Sequence, residues 1–207
     1  TVEMLLDESG DFFFLEMNTR LQVEHPVTEM VSGLDLVKEQ IRIAAGLPLP
    51  YAQEDIQPRG HAIEVRVYAE DPLNDFLPSV GTLEQYKLPQ GPGIRVDNGY
   101  EEGMEIPIYY DPMLSKLITY GSSREEAISL MIQAIADYRV KGVETTLAFG
   151  DFVCRHQAFR SGKFDTHFVK NYYSPDDIIA AEKTEAKVVA LTALYQYLED
   201  QKKLRIP

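Results

Sequence analysis

The 207-residue sequence has one cysteine, Cys154, no tryptophan and four histidines. A single thiol excludes an internal disulfide and a cysteine-based zinc centre, and it points to a reducing compartment. His61, His156 and His167 have no partner at metal-ligand spacing, which argues against a histidine zinc site too. No apolar run approaches the roughly 20 residues that cross a bilayer, and the first residues carry no signal-peptide pattern. Positive charge is also scarce: 20 Lys and Arg stand against 33 Asp and Glu, a net charge of −13. That balance argues against nucleic acid or an anionic membrane as the main partner. It leaves room for a local anion site built by a few Arg residues.

With 44% apolar residues the chain can bury one good core, or one core and part of another. Thr1-Val2-Glu3-Met4-Leu5-Leu6 reads as a strand from its first residue, as expected of a chain entered in the middle of a domain. Two apolar runs, Val2–Leu6 and Phe12–Leu15, flank a Ser-Gly turn and predict a hairpin. A helix is expected over Leu34–Ala45, with Leu34, Val37, Ile41 and Ala44 on its buried face. Extended segments at His61–Tyr68, Thr82–Leu88, Ile94–Asn98 and Met113–Tyr120 lie between Gly- and Pro-rich turns, which suits a small antiparallel sheet or barrel. Ser123-Arg124-Glu125-Glu126 has the spacing of a capping box. It opens a helix whose buried stripe is Ala127, Leu130, Met131, Ala134, Ile135 and Tyr138. Further helices are expected over Thr146–His156 and from Ser174-Pro175 onward. The class is α+β.

Leu15 to Glu24 alternates in polarity. If it stays extended, Glu16, Asn18, Arg20, Gln22 and Glu24 share one face, and Leu15, Met17, Thr19, Leu21 and Val23 belong to a core. A four-residue loop over Glu8–Asp11 would pair Asp7 with Phe12 and set Glu3 opposite Glu16, with Cβ atoms about 5 Å apart. Two carboxylates that close, beside an Asn carbonyl, suit a hard cation such as Mg²⁺ or Mn²⁺ shared with a phosphate. The plainer reading is a solvated polar strand. The opposed glutamates, and an Arg and a Gln following the Asn on the same face, weigh against it.

The run Glu16-Met17-Asn18-Thr19-Arg20-Leu21-Gln22-Val23-Glu24-His25-Pro26-Val27-Thr28-Glu29 resembles the signature of biotin carboxylases, the biotin-charging components of acetyl-CoA, propionyl-CoA and pyruvate carboxylases. The resemblance continues through Arg59–Arg66, Ala69–Pro72, Phe76–Ser79 and Tyr109–Met113. It implies a domain order: residues 1–57 as the end of an ATP-grasp domain, 58–171 as a biotin carboxylase C-terminal domain, and 172–207 as a helical extension. Flanking helices around a small antiparallel sheet or barrel complete that fold.

What the resemblance implies for chemistry is ATP-dependent carboxylation of biotin with bicarbonate through carboxyphosphate, in an acyl-CoA carboxylase of the kind that feeds fatty acid synthesis. Glu3, Glu16 and Asn18 would hold two Mg²⁺ or Mn²⁺ ions that bridge the ATP phosphates. Arg20, Gln22 and the Val23 backbone would bind bicarbonate. Glu24 would be the catalytic base, and Arg66 would bind biotin and stabilise its enolate. Arg95 resembles a position at the subunit interface of relatives. Implied partners are a biotin carboxyl carrier protein or domain, a carboxyltransferase subunit and a second copy of the enzyme. The implied location is the cytoplasm, or the mitochondrial matrix or plastid of a eukaryote. The physics of the side chains agrees: Arg offers a fork matched to a planar anion, and a carboxylate near a cation stays ionised and able to accept a proton. Two rivals stand beside this reading. One is another ATP-grasp ligase of the carbamoyl-phosphate synthetase kind, and the other a non-catalytic acidic interaction module.

The 207 residues include neither the glycine-rich lid nor the phosphate-binding lysines of such an enzyme, nor a Met-Lys-Met type biotin attachment site. This 207-residue chain is therefore predicted to bind Mg-ATP weakly and not to turn over. Calorimetry should show no micromolar affinity, and a micromolar isotherm would contradict the prediction.

Overall fold

The protein, described as a computed structural model, is defined for residues 1–204. The last three residues of the expected extension lie outside the described residues. The fold mixes helices with small antiparallel sheets. The chain divides into two compact units that interleave in sequence. The first comprises Thr1–Val67, Lys87–Tyr100 and Met113–Arg139; the second comprises Tyr68–Tyr86, Glu101–Pro112 and the chain from Val140 onward.

The first unit begins with a hairpin of β1 (Val2–Leu6) and β2 (Phe12–Met17). Leu6 pairs with Phe12 rather than Asp7 with Phe12, so the loop is one residue longer than expected. A bulge between Glu3 and Met4 in the register absorbs that extra step, and Glu3 still lies opposite Glu16. The apolar side chains of the hairpin are exposed, and Leu15 at 52% and Met17 at 60% depart from the core position expected for their face. Two helices follow, α1 (His25–Ser32) and α2 (Leu36–Ala44). Asp35 caps α2 by accepting from the Lys38 N–H at 2.8 Å, so the helix starts two residues later than expected. The anticipated stripe is consequently wrong: Val37 and Ile41 are exposed, and Leu36, Glu39 and Arg42 occupy the half-buried face.

The core of this unit is a three-stranded sheet of β3 (His61–Tyr68), β4 (Ile94–Asn98) and β5 (Met113–Gly121), with β5 in the centre and antiparallel to β4. β3 and β4 have the bounds expected, and β5 is one residue longer. Leu114, Leu117, Ile118 and Thr119 of β5 are fully buried. Helix α3 (Arg124–Asp137) packs on β5, presenting Ala127, Ile128, Met131, Ala134 and Ile135, while Leu130 is only half-buried. The Thr119 hydroxyl donates to the Ala127 carbonyl at 2.9 Å, so a polar group inside the contact is satisfied. Ser123 caps α3 by accepting from the Glu126 N–H at 3.2 Å. The return arm of the capping box goes elsewhere, because Glu126 accepts from the Ser122 N–H at 2.8 Å.

In the second unit the expected strand Thr82–Leu88 is broken into Gly81–Thr82 and Gln85–Lys87. The break falls where the Leu83 N–H turns to the Met104 carbonyl and the Glu84 N–H to the Lys141 carbonyl. Helix α4 (Leu147–Arg155) is bounded by Thr146 and His156, as the sequence pattern predicts. Two short helices, α5 (Gln157–Ser161) and α6 (Phe168–Tyr172), lead to the long α7 (Pro175–Leu204). Phe76, Phe149 and Tyr173 form an aromatic cluster with ring centroids 5.0 to 5.7 Å apart, in which Phe149 meets both Phe76 and Tyr173 edge to face. Ile178 of α7 is buried, while Val188, Leu191 and Tyr195 are exposed.

Gly142 has φ +99°, and a Cβ placed there would lie 1.9 Å from the Thr82 carbonyl oxygen. Gly162 has φ +73° but open space around it. Gly142→Ala is therefore predicted to cost upwards of about 3 kcal/mol, from conformational strain plus overpacking. Gly162→Ala should cost only about 1–2 kcal/mol, the left-handed backbone penalty alone. Urea titration of both variants checks the difference, and equal costs would contradict it.

Candidate functional site

The ladder of the hairpin ends at Val2 opposite Met17, and from Arg20 the backbone turns instead of continuing as a strand to Glu24. This corrects the expectation of a single extended segment. Pro26 supplies the reason: it sits in the first turn of α1, where its fixed φ suits a helix start. The chain before it closes a turn, with the His25 N–H donating to the Gln22 carbonyl at 3.3 Å and the Val27 N–H to the Glu24 carbonyl at 3.1 Å. Alternating polarity across residues 18–24 thus came from the irregular and turn backbone that follows β2.

The side chains fall into two clusters, with Arg20 beside them. In one cluster, the Asn18 amide donates to Glu3 at 2.8 Å and to Glu16 at 3.0 Å, and the Gln22 amide donates to the same Glu3 oxygen at 3.0 Å. Two opposed carboxylates therefore converge on amide nitrogens. In the other cluster, Arg66 of β3 donates to Glu24 at 2.7 Å. Arg20 is exposed and bonds the Leu21 carbonyl of its own turn at 3.3 Å.

Three participants were not legible in the sequence. Lys116, at the middle of β5, donates to the Val23 carbonyl at 3.1 Å and lies 3.3 Å from Asp97 of β4. Asp97 also takes both arms of Arg95, at 2.7 and 2.9 Å. Arg95 in turn reaches Glu29 of α1 at 2.7 Å. Glu29 is 8% exposed and accepts from the Leu36 N–H at 2.7 Å, so it joins α1, α2 and β4. Burial raises the Asp97 carboxyl, but Arg95 and then Lys116 overcome this and hold it below the usual range. A Lys four residues into an apolar strand was the available sign of Lys116. Its partners, 19 and 93 residues away, were not.

Glu64 shares a face of β3 with Arg66, two residues along. Both its carboxylate oxygens are buried without a hydrogen-bond partner, and burial pushes its carboxyl up to about 7 against the pull of Lys116 and Arg66.

The donor set around Glu3 and Glu16 fits a hard cation in kind, oxygen-rich and held in register by a ladder. Among the described residues no three His, Cys, Asp or Glu side chains converge as metal ligands, so a phosphate or water would have to complete such a shell. Among them also no helix is long and apolar enough to cross a membrane.

A paired Arg and Glu over an antiparallel sheet, beside a carboxylate hairpin, define a class, and comparison with known proteins identifies it. The chain belongs to the biotin carboxylase C-terminal domain family, whose description matches residues 64–171. Residues 1–52 match the ATP-binding domain of the carbamoyl-phosphate synthase L chain. The chain is 48% identical to biotin carboxylase 1 of Bacillus subtilis over 173 residues, covering 83% of this chain and 38% of that one. It is 49% identical over 207 residues to the mitochondrial propionyl-CoA carboxylase alpha chain of Sus scrofa, covering 99% of this chain and 28% of that one. Among solved structures, it resembles the biotin carboxylase domain dimer of Hydrogenobacter thermophilus 2-oxoglutarate carboxylase, in complex with MgADP, ADP and bicarbonate. That match has a TM-score of 0.80 at 47% identity and covers 83% of this chain and 38% of that one. The chain thus spans about a third of the length of such relatives.

The Glu64 carboxyl generates a pH prediction. Its folded value, about 7, lies above the ordinary 4.5, so between those limits the folded state holds the extra proton. Stability then falls as pH rises from about 4.5 through about 7 and levels off above. Glu64→Gln should flatten that portion of the profile and raise stability at pH 8, as thermal melts across pH would show. An unchanged slope in the variant would contradict it.

Proposed function

We propose that this chain carries the bicarbonate- and metal-handling face of a biotin carboxylase, an ATP-dependent ligase that carboxylates biotin. The observation that carries this reading is the Glu24–Arg66 pair, which brings a base and a fixed cation together across 42 residues of sequence. The match of residues 64–171 to the carboxylase family favours it over a carbamoyl-phosphate synthetase, with which the hairpin alone is compatible.

In this reading Arg20, Gln22 and the Val23 backbone bind bicarbonate and Glu24 removes its proton. The deprotonated anion attacks the γ-phosphate of ATP, forming carboxyphosphate and releasing ADP. Carboxyphosphate breaks down to CO₂ and phosphate, and the phosphate takes the ureido proton of biotin. The biotin enolate, its negative oxygen facing Arg66, then bonds to CO₂. Glu3, Glu16 and Asn18 would hold Mg²⁺ or Mn²⁺, which when bound screens the like charges of nucleophile and triphosphate. Gln22 must leave Glu3 to reach the anion, and a cation at Glu3 would favour that exchange.

Residues 1–57 would be the end of an ATP-grasp domain, 58–171 the carboxylase C-terminal domain, and 172–207 an extension. The exposed apolar hairpin then offers the surface on which the rest of the ATP-grasp domain packs. The whole protein would take biotin from a carrier protein or domain, deliver it to a carboxyltransferase, form a homodimer and work in the cytoplasm or an organelle matrix.

In the full-length polypeptide, bicarbonate-dependent ATP cleavage stimulated by free biotin is the expected activity. Glu24→Gln should reduce it by about 10²–10⁴-fold, the range for a general base. Arg66→Ser should abolish biotin stimulation while sparing the slow bicarbonate-dependent cleavage. Full activity in Glu24→Gln, or cleavage that needs no bicarbonate, would contradict the assignment.

A further inference from the structure

The turn that precedes α1 presents backbone as well as side chains, and its shape depends on two peptide planes on either side of Val23. A peptide unit is planar, so fixing its carbonyl oxygen fixes the attached N–H as well. The first plane joins the Gln22 carbonyl to the Val23 N–H. Its oxygen receives the His25 ring at 2.7 Å, and since a carbonyl can only accept, Nδ1 carries the proton. The second plane joins the Val23 carbonyl to the Glu24 N–H, and its oxygen receives the Lys116 ammonium at 3.1 Å. One tether is local. The other comes from the sheet, 93 residues later in the chain.

Lys116 is suited to that task. Its side chain is 13% exposed, and Asp97 holds the same ammonium at 3.3 Å, so it cannot swing freely. Asp97 is itself locked by both arms of Arg95. Glu64, the nearby carboxylate that could draw the ammonium off Val23, makes no hydrogen bond to it.

We propose that Lys116 is a positioning residue of the anion-binding turn: tied to Asp97, it pins the Val23–Glu24 peptide plane and so sets where the Glu24 carboxylate leaves the backbone and how the Val23 amide faces bicarbonate. The inference rests on the bicarbonate role given above to Arg20, Gln22, Val23 and Glu24. His25 holds the first plane and Lys116 the second, and together they restrain the φ and ψ of Val23. The pair of tethers gives the turn the fixed shape that a small anion needs, since bicarbonate has too few atoms to order a loose loop.

The test uses the full-length enzyme and Lys116→Met, with steady-state kinetics in bicarbonate and in ATP measured separately. A rise of about tenfold in the KM for bicarbonate is expected, the effect of one hydrogen bond from a charged donor. kcat should fall as well, and the KM for ATP should stay within twofold. A merely structural lysine would lower the amount of active enzyme and leave both KM values alone, and that result overturns the proposal. Should Lys116→Met fail to fold by thermal melt, Lys116→Arg decides. Its planar fork keeps the charge but shifts the Val23 contact, so bicarbonate KM should rise about threefold with ATP KM unchanged; unaltered bicarbonate KM overturns the proposal. A wild-type enzyme that cleaves ATP without bicarbonate would instead remove the reading on which the inference rests.

Discussion

The turn between β2 and α1 is held to the three-stranded sheet at two points, Glu24 on Arg66 of β3 and the Val23 carbonyl on Lys116 of β5. The Glu24–Arg66 tether adds little to global stability. The Glu24–Arg66 pair is close to half exposed on both sides, a setting in which an ion pair contributes at most about 1 kcal/mol. What the tethers supply is geometry. They bring residues 23, 24, 66 and 116 to one place, which no local propensity could do, and every chemical role proposed for the turn presumes that they hold.

Beneath the turn, Arg66, Arg95 and Lys116 are each paired with carboxylates, with Asp97 shared between Arg95 and Lys116. Arg95 is the clearest case, bound on one side by Glu29 of α1 and on the other by Asp97 of β4. Because Glu29 also receives the first N–H of α2, the same arginine anchors the two helices that follow the turn. Glu64 is buried without a hydrogen-bond partner, and burial raises its carboxyl. A polar group in that state costs free energy, which the packing of the rest of the unit must offset.

Much of the fold was legible because periodicity and capping are local. Strands at His61–Tyr68 and Ile94–Asn98 and the helix opened by Ser123 follow from alternation, turn residues and a cap. The opposition of Glu3 and Glu16 was also foreseen, though from a loop one residue too short; a bulge in the ladder restored the pair. The misreadings share a cause. Residues 18–24 alternate in polarity like a strand, yet Pro26 starts a helix and folds the last five of them into a turn. In α2 the apolar stripe looked buried, but the Asp35 cap and the Glu39–Arg42 pair give the helix a different inner face. Lys116, Asp97 and Glu29 escaped notice because each works through a partner distant in sequence.

Every role proposed for these residues requires that bicarbonate bind at the tethered turn. The most direct measurement is a crystal structure of the full-length polypeptide with bicarbonate and Mg-ADP. The anion is expected in contact with Arg20, the Gln22 amide and the Val23 N–H, with Gln22 moved off Glu3 and Lys116 still on the Val23 carbonyl. Bicarbonate bound away from this turn, with Gln22 still on Glu3, would contradict that expectation.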